Sequence, residues 1–393
     1  MTPIGPMTHR LARRAACTTL TAAVLVTLGC AAAPVQDAAP AEDKVYRSQQ
    51  AAFRLKAIAS GLENPWALAF LPGGDMLVTE RPGRLRLIRD GKLVKAPIAG
   101  VPPVVERGQG GLLDVVTHPK FAENRLIYLT YAGRRMDGIG THVARARFTG
   151  DRLEDLKVIF AARPGGSGGV HFGSRIVFGA DGLMYITTGE RGEPENAQKL
   201  TTLIGKVIRL TDDGKVPPGN PFVNRAGTQP EIFTYGHRNA QGIARHPGTG
   251  AIWAVEHGAR GGDEINILKR GANYGWPVIT YGMSYAGFPI GEGTHKPGME
   301  QPIKYWVPSI APSGMAFYTG DKFPGWKGNL FVGALALQHL NRLTLDGEHV
   351  VGEERLLEDW HQRIRDVRNG PDGYLYILTD EDPGAVVRLE PVP

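Results

Sequence analysis

The sequence is almost without cysteine. Of its 393 residues only Cys17 and Cys30 are cysteines, and both lie within the first thirty positions. The rest of the chain therefore cannot form an internal disulfide, a thiol nucleophile or a cysteine-bound metal site. We expect its stability and chemistry to come from packing, hydrogen bonds and charged side chains.

Several other features are missing. The apolar run Leu20–Leu28 is too short to cross a bilayer. Lysines and arginines form no cluster interleaved with aromatic residues, which argues against a nucleic-acid partner. No strand, glycine-rich turn and helix follow one another in the arrangement that holds a dinucleotide pyrophosphate, so NAD is not expected as the oxidant. The sequence also shows no amphipathic helix of substantial length.

The chain begins with a pattern typical of an export signal. Three arginines, Arg10, Arg13 and Arg14, precede the run Leu20–Leu28, and small residues follow it. We therefore assign residues 1–29 to a signal peptide and expect a periplasmic or otherwise exported protein. Loss of these three arginines lowers the formal net charge from +6 to +3.

Two processing routes fit the end of this signal. Cys30 stands where a lipid-modified cysteine would stand, and its acyl chains would then be the protein's contact with a membrane. The alternative is ordinary cleavage among residues 31–33 without a lipid. Residues 30–50 are polar and are interpreted as a flexible tether. Residues 51–393 are interpreted as one catalytic domain.

A repeated pattern dominates the remainder. Glycine (52 residues) and proline (29 residues) are abundant, as expected for strands joined by tight turns. An apolar strand, a turn and a second strand ending in threonine or a small residue recur six times, and a strand of alternating polar and apolar residues follows each copy. The copies begin at residues 68, 115, 177, 243, 315 and 367. This spacing, on the order of 60 residues, predicts an all-β fold, a six-bladed β-propeller.

The first loop whose residues could take part in a reaction surrounds His171. It reads Gly-Gly-Val-His-Phe-Gly-Ser-Arg and ends at Arg175. A histidine in such a loop can act as a general base near neutral pH, because its ring titrates there. The alternative is a histidine that only caps the loop.

Two further loops carry arginines. Arg238 and Asn239 lie in the segment Tyr-Gly-His-Arg-Asn-Ala-Gln-Gly, where the guanidinium could bind an anion or bridge two blades. Arg363 and Arg365 are two residues apart, so they share one face of a strand. Asp366 cannot neutralise all three arginines, which leaves a polyanionic ligand or a salt-bridge network as the two interpretations.

A fourth loop is rich in oxygen ligands. It runs from Glu256 to Asn266 and is followed by Gly-Ala-Asn-Tyr-Gly-Trp-Pro. Carboxylates and free carbonyls around turn glycines suit calcium, which takes six to eight oxygen ligands. No histidine and cysteine cluster accompanies them, so zinc and iron are not favoured. A turn-capping Asp–Glu pair is the alternative.

Together these loops resemble those of the soluble quinoprotein glucose and aldose sugar dehydrogenases. The shared motifs are His-Phe-Gly-Ser-Arg, Gly-His-Arg-Asn-Ala-Gln-Gly, Glu-His-Gly-Ala-Arg-Gly-Gly-Asp-Glu-Ile-Asn, Gly-Ala-Asn-Tyr-Gly-Trp-Pro and Arg-Ile-Arg-Asp-Val, in the same order between about Leu62 and Leu389. The resemblance implies a six-bladed propeller, in agreement with the repeat count. It further implies pyrroloquinoline quinone (PQQ) and calcium as cofactors, and oxidation of the C1 hydroxyl of aldoses to lactones.

The resemblance also assigns roles to individual residues. It implies that His171 is the general base and that Arg238 and Asn239 lie at the reactive oxygens of the quinone. Arg363 and Arg365 resemble a clamp for its carboxylates. Further residues complete the implied set: Gln109 and Tyr285 as quinone contacts, the carbonyls of Gly258 and Ala259 facing the cofactor calcium, and Glu264 and Tyr274 at a second, structural calcium.

The chain departs from the glucose-specific relatives at two positions. They carry lysine where this chain has Ala336, at a point that contacts the quinone, and proline where it has Ala259. Both differences favour the aldose sugar dehydrogenase branch, with a broad range of aldose substrates and an external electron acceptor.

Two other functions compete with this one. A calcium-dependent propeller hydrolase, such as a lactonase, shares the fold and the ion but would need several acidic ligands around one central calcium. A non-catalytic binding propeller is the other alternative, and the clustered arginine, histidine and glutamine loops argue against it.

The leader leads to a first prediction. The mature protein is expected to begin at Cys30 or shortly after it, because the basic start and short apolar run mark residues 1–29 for removal. Intact-mass spectrometry of the protein purified from its native cell envelope checks this. Recovery of a protein that still carries Met1 or an uncleaved leader would contradict the assignment.

Overall fold

The structure is a computed structural model that describes residue 40 and residues 43–392. The described residues form 25 strands in six antiparallel sheets. One short helix, α1 (Phe121–Asn124), and three 3-10 turns accompany them. The strands are β1 (Val45–Arg47), β2 (Ala52–Leu62), β3 (Pro65–Phe70), β4 (Met76–Glu80), β5 (Arg84–Arg89), β6 (Lys92–Leu93), β7 (Leu112–Thr117), β8 (Leu126–Arg135), β9 (Gly138–Phe148), β10 (Leu153–Ala161), β11 (Ile176–Phe178), β12 (Met184–Thr188), β13 (Lys206–Leu210), β14 (Ile232–Tyr235), β15 (Ala240–Arg245), β16 (Ile252–Glu256), β17 (Asp263–Ile267), β18 (Lys304–Trp306), β19 (Pro312–Phe317), β20 (Leu330–Ala334), β21 (Leu340–Asp346), β22 (His349–Leu356), β23 (Ile364–Asn369), β24 (Leu375–Thr379) and β25 (Gly384–Val392).

The sheets are the six blades of a β-propeller, as the repeat predicts. Blades one to five each use four consecutive strands, β3–β6, β7–β10, β11–β14, β15–β18 and β19–β22. Blade six combines the last three strands, β23–β25, with β2 and β1 from the start of the domain. The six predicted repeat starts all fall on the innermost strand of a blade: Leu68, Val115, Val177, Ile243, Met315 and Val367.

The threonine that ends several second strands fastens neighbouring blades. The hydroxyl of Thr79 donates to the carbonyl of Leu113 in the next blade at 2.5 Å. The hydroxyl of Thr187 in blade three makes the same kind of contact with the carbonyl of Ala240 in blade four, at 2.9 Å. Both threonines are fully buried, so each hydroxyl needs a partner inside the protein. The repeated threonine in the sequence is therefore a connection between blades.

The polar residues of the third strands are less exposed than their alternating pattern predicts. Lys206 in β13 is fully buried, and its Nζ donates to the carbonyls of Asn196, Ala197 and Ile204 at 2.8, 3.0 and 2.7 Å. Burial lowers the pKa of Lys206 to about 7. Blades pack on both faces in a propeller, so a charge on a third strand can be enclosed when backbone carbonyls surround it.

Four charged side chains fill the central channel. Arg175 contacts Asp366 at 3.1 Å and Asp114 at 3.4 Å, and Arg368 contacts the same two carboxylates at 2.8 and 2.9 Å. Two cations and two anions thus balance one another, with Arg175 and both carboxylates buried and Arg368 26% exposed. This channel plug separates a cavity at the starting ends of the inner strands from another at their finishing ends.

Part of the predicted tether belongs to the folded domain. Strand β1 lies within residues 30–50 and pairs with β2 in register, with Val45 opposite Arg54. The backbone N–H of Gln49 donates to Glu354 at 2.6 Å, which ties this segment to blade five. Residues 1–39, which include the signal peptide and Cys30, and residues 41 and 42 lie outside the described residues. No helix within the described part is long and apolar enough to cross a membrane.

The structure predicts where the domain can be shortened. A chain that starts at residue 43 should match the full mature chain in thermal stability. A chain that starts at residue 51 loses β1 and the buried ring of Tyr46, and should be destabilised by about 2 kcal/mol or more. Differential scanning calorimetry of the three lengths measures this. Equal melting temperatures for the starts at 43 and 51 would show that β1 adds no stability.

Candidate active site

Four of the seven predicted quinone contacts line one cavity. A cavity of about 310 Å³ is lined by Gln109, Asn239, Arg363 and Arg365, together with Trp66. Each lies at or within three residues of the start of an inner strand. Inner strands converge on the propeller axis, so their starting ends bring together residues that are far apart in the sequence. The size suits a small organic ligand.

His171 lies beside this cavity and is fixed at two points. Its backbone N–H donates to Oε1 of Gln109 at 2.8 Å, and its Nδ1 contacts Oε1 of Glu190 at 2.6 Å. A carboxylate partner holds the proton on Nδ1 and leaves the lone pair of Nε2 free to accept another proton. The Glu190 side chain is almost fully buried, whereas that of His171 keeps 14% exposure. This is the geometry of an oriented general base.

The loop that carries His171 is held from outside as well. The guanidinium of Arg191 lies 3.5 Å from the ring centroid of Phe172, and it donates to the carbonyls of Gly168 (2.6 Å) and Val170. Gly189 lets the backbone of His171 approach closely, because a Cβ atom at position 189 would stand 2.0 Å from the carbonyl oxygen of His171. Several contacts thus stabilise the left-handed backbone of His171, whose φ is 53°.

Sequence reasoning missed Glu190. Its only signal is an acidic residue between glycines directly after β12, in Thr-Thr-Gly-Glu-Arg-Gly. Nothing in that pattern points to His171, which lies 19 positions earlier. The two meet because β11 and β12 form a hairpin whose open end faces the cavity.

Arg238 and Asn239 occupy the next loop around the axis. The amide oxygen of Asn239 accepts from the backbone N–H of Gly173 at 3.0 Å, which links this loop to the His171 loop. The guanidinium of Arg238 lies 5.3 Å from the ring of Trp276. Its Nε is buried and has no hydrogen-bond partner within the described part of the chain. Arg238 therefore has a donor to offer to a ligand.

The two clamp arginines have a partner that the sequence analysis did not identify. Asp380 contacts Nη2 of Arg363 at 2.9 Å and Nη2 of Arg365 at 2.8 Å. Burial works against its ionisation, but Arg365 and Arg363 outweigh burial and hold the pKa of Asp380 below its ordinary value. Asp366, the neighbour considered from sequence, instead contacts Arg175 and Arg368 in the channel plug. The clamp keeps one net positive charge.

A second, much smaller cavity adjoins the first. It holds about 10 Å³, room for one water-sized particle, and its lining includes Gly258, Glu264, Tyr274 and Glu256. Burial, together with the nearby Glu256, raises the pKa of Glu264 to about 8. The side-chain oxygen of Asn266 is buried there without a hydrogen-bond partner among the described residues. The two carboxylates and the amide oxygen are a set of oxygen atoms that a hard cation could bind.

Not all oxygen atoms of the predicted calcium ligands are equally free to bind a cation. The hydroxyl of Tyr274 donates to the carbonyl of Ile267 at 2.6 Å and accepts the N–H of Lys269 at 2.8 Å, so it is occupied. The main-chain carbonyl of Tyr274 is the better ligand. Gly258 lies in the small cavity lining, while Ala259 follows it in the loop without lining either cavity. Described residues offer no group of three or more His, Cys, Asp or Glu side chains that could hold a metal by themselves.

Two predicted residues lie away from both cavities. Tyr285 is 74% exposed on the long loop between β17 and β18 and lines neither cavity. Ala336 is exposed in the turn after β20, which already ends at Ala334, and its neighbour Leu335 lines the larger cavity instead. Neither position contacts the cavity as this chain stands.

A second histidine separates the two cavities. His257 lines both of them, and its Nε2 lies 2.6 Å from the carbonyl of Pro312. Burial and the nearby Arg238 lower the pKa of His257 to about 3, so its ring is neutral at ordinary pH. The sequence pattern Glu-His-Gly gave this residue no role. His257 therefore forms part of the wall of both cavities and adds no charge to them.

Comparison with known proteins places this site in a family. The family described as glucose / sorbosone dehydrogenase matches residues 62–388. The chain belongs to this family. It is 48% identical over 347 residues to an aldose sugar dehydrogenase of Escherichia coli, covering 87% of this chain and 94% of that protein. It is therefore an enzyme, an oxidoreductase of the sugar dehydrogenase class.

Two more distant relatives have names that refer to a quinone. Quinoprotein glucose dehydrogenase B of Acinetobacter calcoaceticus is 29% identical over 447 residues, covering 92% of this chain and 91% of that protein. The solved structure of the PQQ-bound form of aldose sugar dehydrogenase from Streptomyces coelicolor is 28% identical to this chain, with a TM-score of 0.73. It covers 90% of this chain and all of that one.

The contact between Glu190 and His171 gives a testable prediction. Glu190→Gln should lower kcat roughly 100-fold or more, because an amide cannot stabilise the imidazolium that forms when His171 accepts a proton. KM for the sugar should change little. Steady-state kinetics with an aldose and a dye acceptor measure both constants.

Glu195→Gln is the matched control, since Glu195 is exposed in the same loop. It should behave as the unmodified enzyme. If Glu190→Gln keeps full turnover, Glu190 does not assist the base.

Proposed function

We propose that the protein oxidises aldose sugars at the C1 hydroxyl to lactones, with PQQ as oxidant and calcium as its partner ion. The observation that carries this proposal is a cavity lined by the two clamp arginines and by Gln109, which bonds to the adjacent, carboxylate-oriented His171. Membership in the sugar dehydrogenase family and the quinone-bound relative support it.

The larger cavity suits the quinone in charge as well as size. PQQ carries three carboxylates, and charge-assisted hydrogen bonds from arginine are the strong way to hold them. Arg363 is 39% exposed and Arg365 only 13%, so Arg363 retains donors that face the open cavity. Arg238 lines the adjoining smaller cavity, and its buried Nε has no hydrogen-bond partner among the described residues. These three residues would hold the cofactor.

The residues of the chain then divide the chemistry. His171 Nε2 would accept the proton of the C1 hydroxyl, and Glu190 would stabilise the resulting charge. Arg238 and Asn239 would lie at the reactive oxygens and favour negative charge there. When bound, PQQ supplies the two-electron oxidant that takes the hydride from C1. The sugar loses one proton and one hydride in total, which leaves the lactone.

Calcium fits the smaller cavity and the loop beside it. Carbonyls of Gly258 and Ala259 would face the cofactor ion, which would act as a Lewis acid toward the quinone carbonyl. Glu264, with the main-chain carbonyl of Tyr274, would hold a structural ion. A cation there would compensate the two carboxylates whose proximity raises the pKa of Glu264. Hard oxygen ligands of this kind favour calcium over softer metals.

Three finer points belong to the proposal. The chain has Ala336 where glucose-specific relatives carry lysine, which favours a broad range of aldoses. The reduced cofactor would pass its electrons to an external acceptor. The enzyme would work in the periplasm or outside the cell, held by a lipid on Cys30 if the first processing route is followed.

The competing hydrolase hypothesis fits the channel less well. A lactonase with a central calcium needs acidic ligands on the axis with no cations among them. Here Arg175 and Arg368 occupy the axis beside Asp114 and Asp366, and neutralise them. A divalent cation at that place would be repelled by both guanidiniums.

The proposal is tested by reconstitution. Protein treated with EDTA and freed of quinone should not oxidise sugars, and should regain activity only when PQQ and calcium are both added. The absorption spectrum should show a bound quinone that sugar reduces. Full sugar oxidation without either cofactor would overturn the proposal.

Two variants separate binding from chemistry. His171→Gln should keep the quinone dissociation constant within about threefold and lower turnover by roughly 10²–10⁴-fold. Arg365→Ala should instead weaken quinone binding at least tenfold, because a charge-assisted partner is lost. Titration of the quinone followed by fluorescence gives the affinity, and dye reduction gives the turnover. Exchanged phenotypes would contradict these role assignments.

A further inference from the structure

One buried arginine contacts most of the propeller. Arg175, which directly precedes β11 in blade three, touches blades one, two, four and six through its side chain. Its Nε donates to the carbonyl of Gln241 at 2.8 Å, and one Nη donates to the carbonyl of Arg365 at 3.1 Å. Its guanidinium lies 4.0 Å from the ring centroid of Trp66.

These three neighbours have something in common. Trp66, Gln241 and Arg365 all line the larger cavity, and each stands on a different blade. Arg175 itself does not line that cavity and is only 2% exposed. It therefore lies behind the cavity and contacts three parts of its wall.

The chemistry of this contact requires arginine. A guanidinium is planar, with donors on fixed directions and a flat face that stacks on an aromatic ring. Lysine carries the same charge, but its three donors lie on one small head that cannot bridge Gln241 and Arg365 while covering Trp66. The charge of Arg175 is compensated by Asp114 and Asp366, away from the cavity. Its remaining donors therefore serve geometry more than charge balance.

We propose that Arg175 is a positioning residue for the quinone site, which sets the relative places of Trp66, Gln241 and Arg365. The inference rests on the proposed function, because it concerns how tightly the cofactor is held. The backbone of Arg365 is fixed by Arg175, and its side chain by Asp380 and by Gln241, whose Oε1 accepts a hydrogen bond at 3.2 Å. Loss of the first contact frees the clamp to move relative to the opposite wall.

Arg175→Lys tests this inference. It should weaken PQQ binding at least tenfold, measured by quenching of tryptophan fluorescence at a temperature where the variant is fully folded. The matched control is Arg342→Lys, since Arg342 is equally buried and bonded to Glu354 and Asn329 in blade five, away from the cavity. The control should lose comparable thermal stability and keep its quinone affinity within twofold. Equal losses of affinity in both variants would reduce Arg175 to a general stability role and overturn the proposal.

A second control lies inside the plug. Arg368→Met removes the other cation of the plug but none of the three contacts of Arg175 with the cavity wall, so it should destabilise the fold without weakening quinone binding. If Arg175→Lys does not accumulate, Asp366→Asn loosens one ion partner of Arg175 and should weaken binding about threefold. An unchanged affinity in that variant would count against the proposal.

A crystal structure of the apo Arg175→Lys protein gives a readout that needs no quinone. Arg365 or Trp66 should move by roughly 1 Å relative to Gln109. An unmoved wall would overturn the inference whatever ligand the cavity takes. Failure of the unmodified protein to bind PQQ would instead overturn the proposed function and leave this structural comparison to decide the role of Arg175.

Discussion

The fold depends on how Arg175 joins blades that cannot pair with one another. Inner strands of a propeller diverge, so backbone hydrogen bonds between blades form at strand ends and in loops, as from Leu112 to Arg81 and from Glu190 to Arg238. On the axis side chains supply the cross-links, and Arg175 reaches carbonyls and carboxylates of neighbouring blades. Farther out, the buried hydroxyls of Thr79 and Thr187 do the same for pairs of neighbours. The cavity is the space that these cross-links leave open at one end of the channel.

The charge of the cavity follows from the same arrangement. Arg175 and Arg368 are neutralised within the channel plug, so they do not add to the field at the site. The neutral ring of His257 likewise contributes no charge. What remains is a clamp whose two arginines share Asp380, together with the guanidinium of Arg238. A polyanionic ligand would thus meet a moderate, localised positive field that favours orientation over indiscriminate anion binding.

Much of this could be predicted from the sequence, because strand periodicity and repeat spacing are local properties. The six repeat starts fall on the six inner strands, and Gln109, Asn239, Arg363 and Arg365 meet in one cavity. The pairings of Glu190 with His171 and of Asp380 with both clamp arginines were not predicted. Each joins the two chain segments at the open end of a hairpin, and the sequence does not reveal the register of that hairpin. Tyr285 and Ala336 do not line the cavity, because resemblance transfers a position in the sequence but does not fix the path of an irregular loop.

The closure of blade six has a consequence for the order in which the strands pair during folding. Strand β2, near the start of the domain, pairs along its whole length with β25, in which Ala52 stands opposite Val392. During vectorial synthesis β2 can pair with β1, but its other edge must wait for β25, while the intervening blades can already assemble from contiguous segments. The entropy of joining such distant ends grows only logarithmically with the separation, so the ring closes without great thermodynamic cost. The delay is kinetic, and it leaves an open sheet edge on the nascent chain for as long as translation lasts.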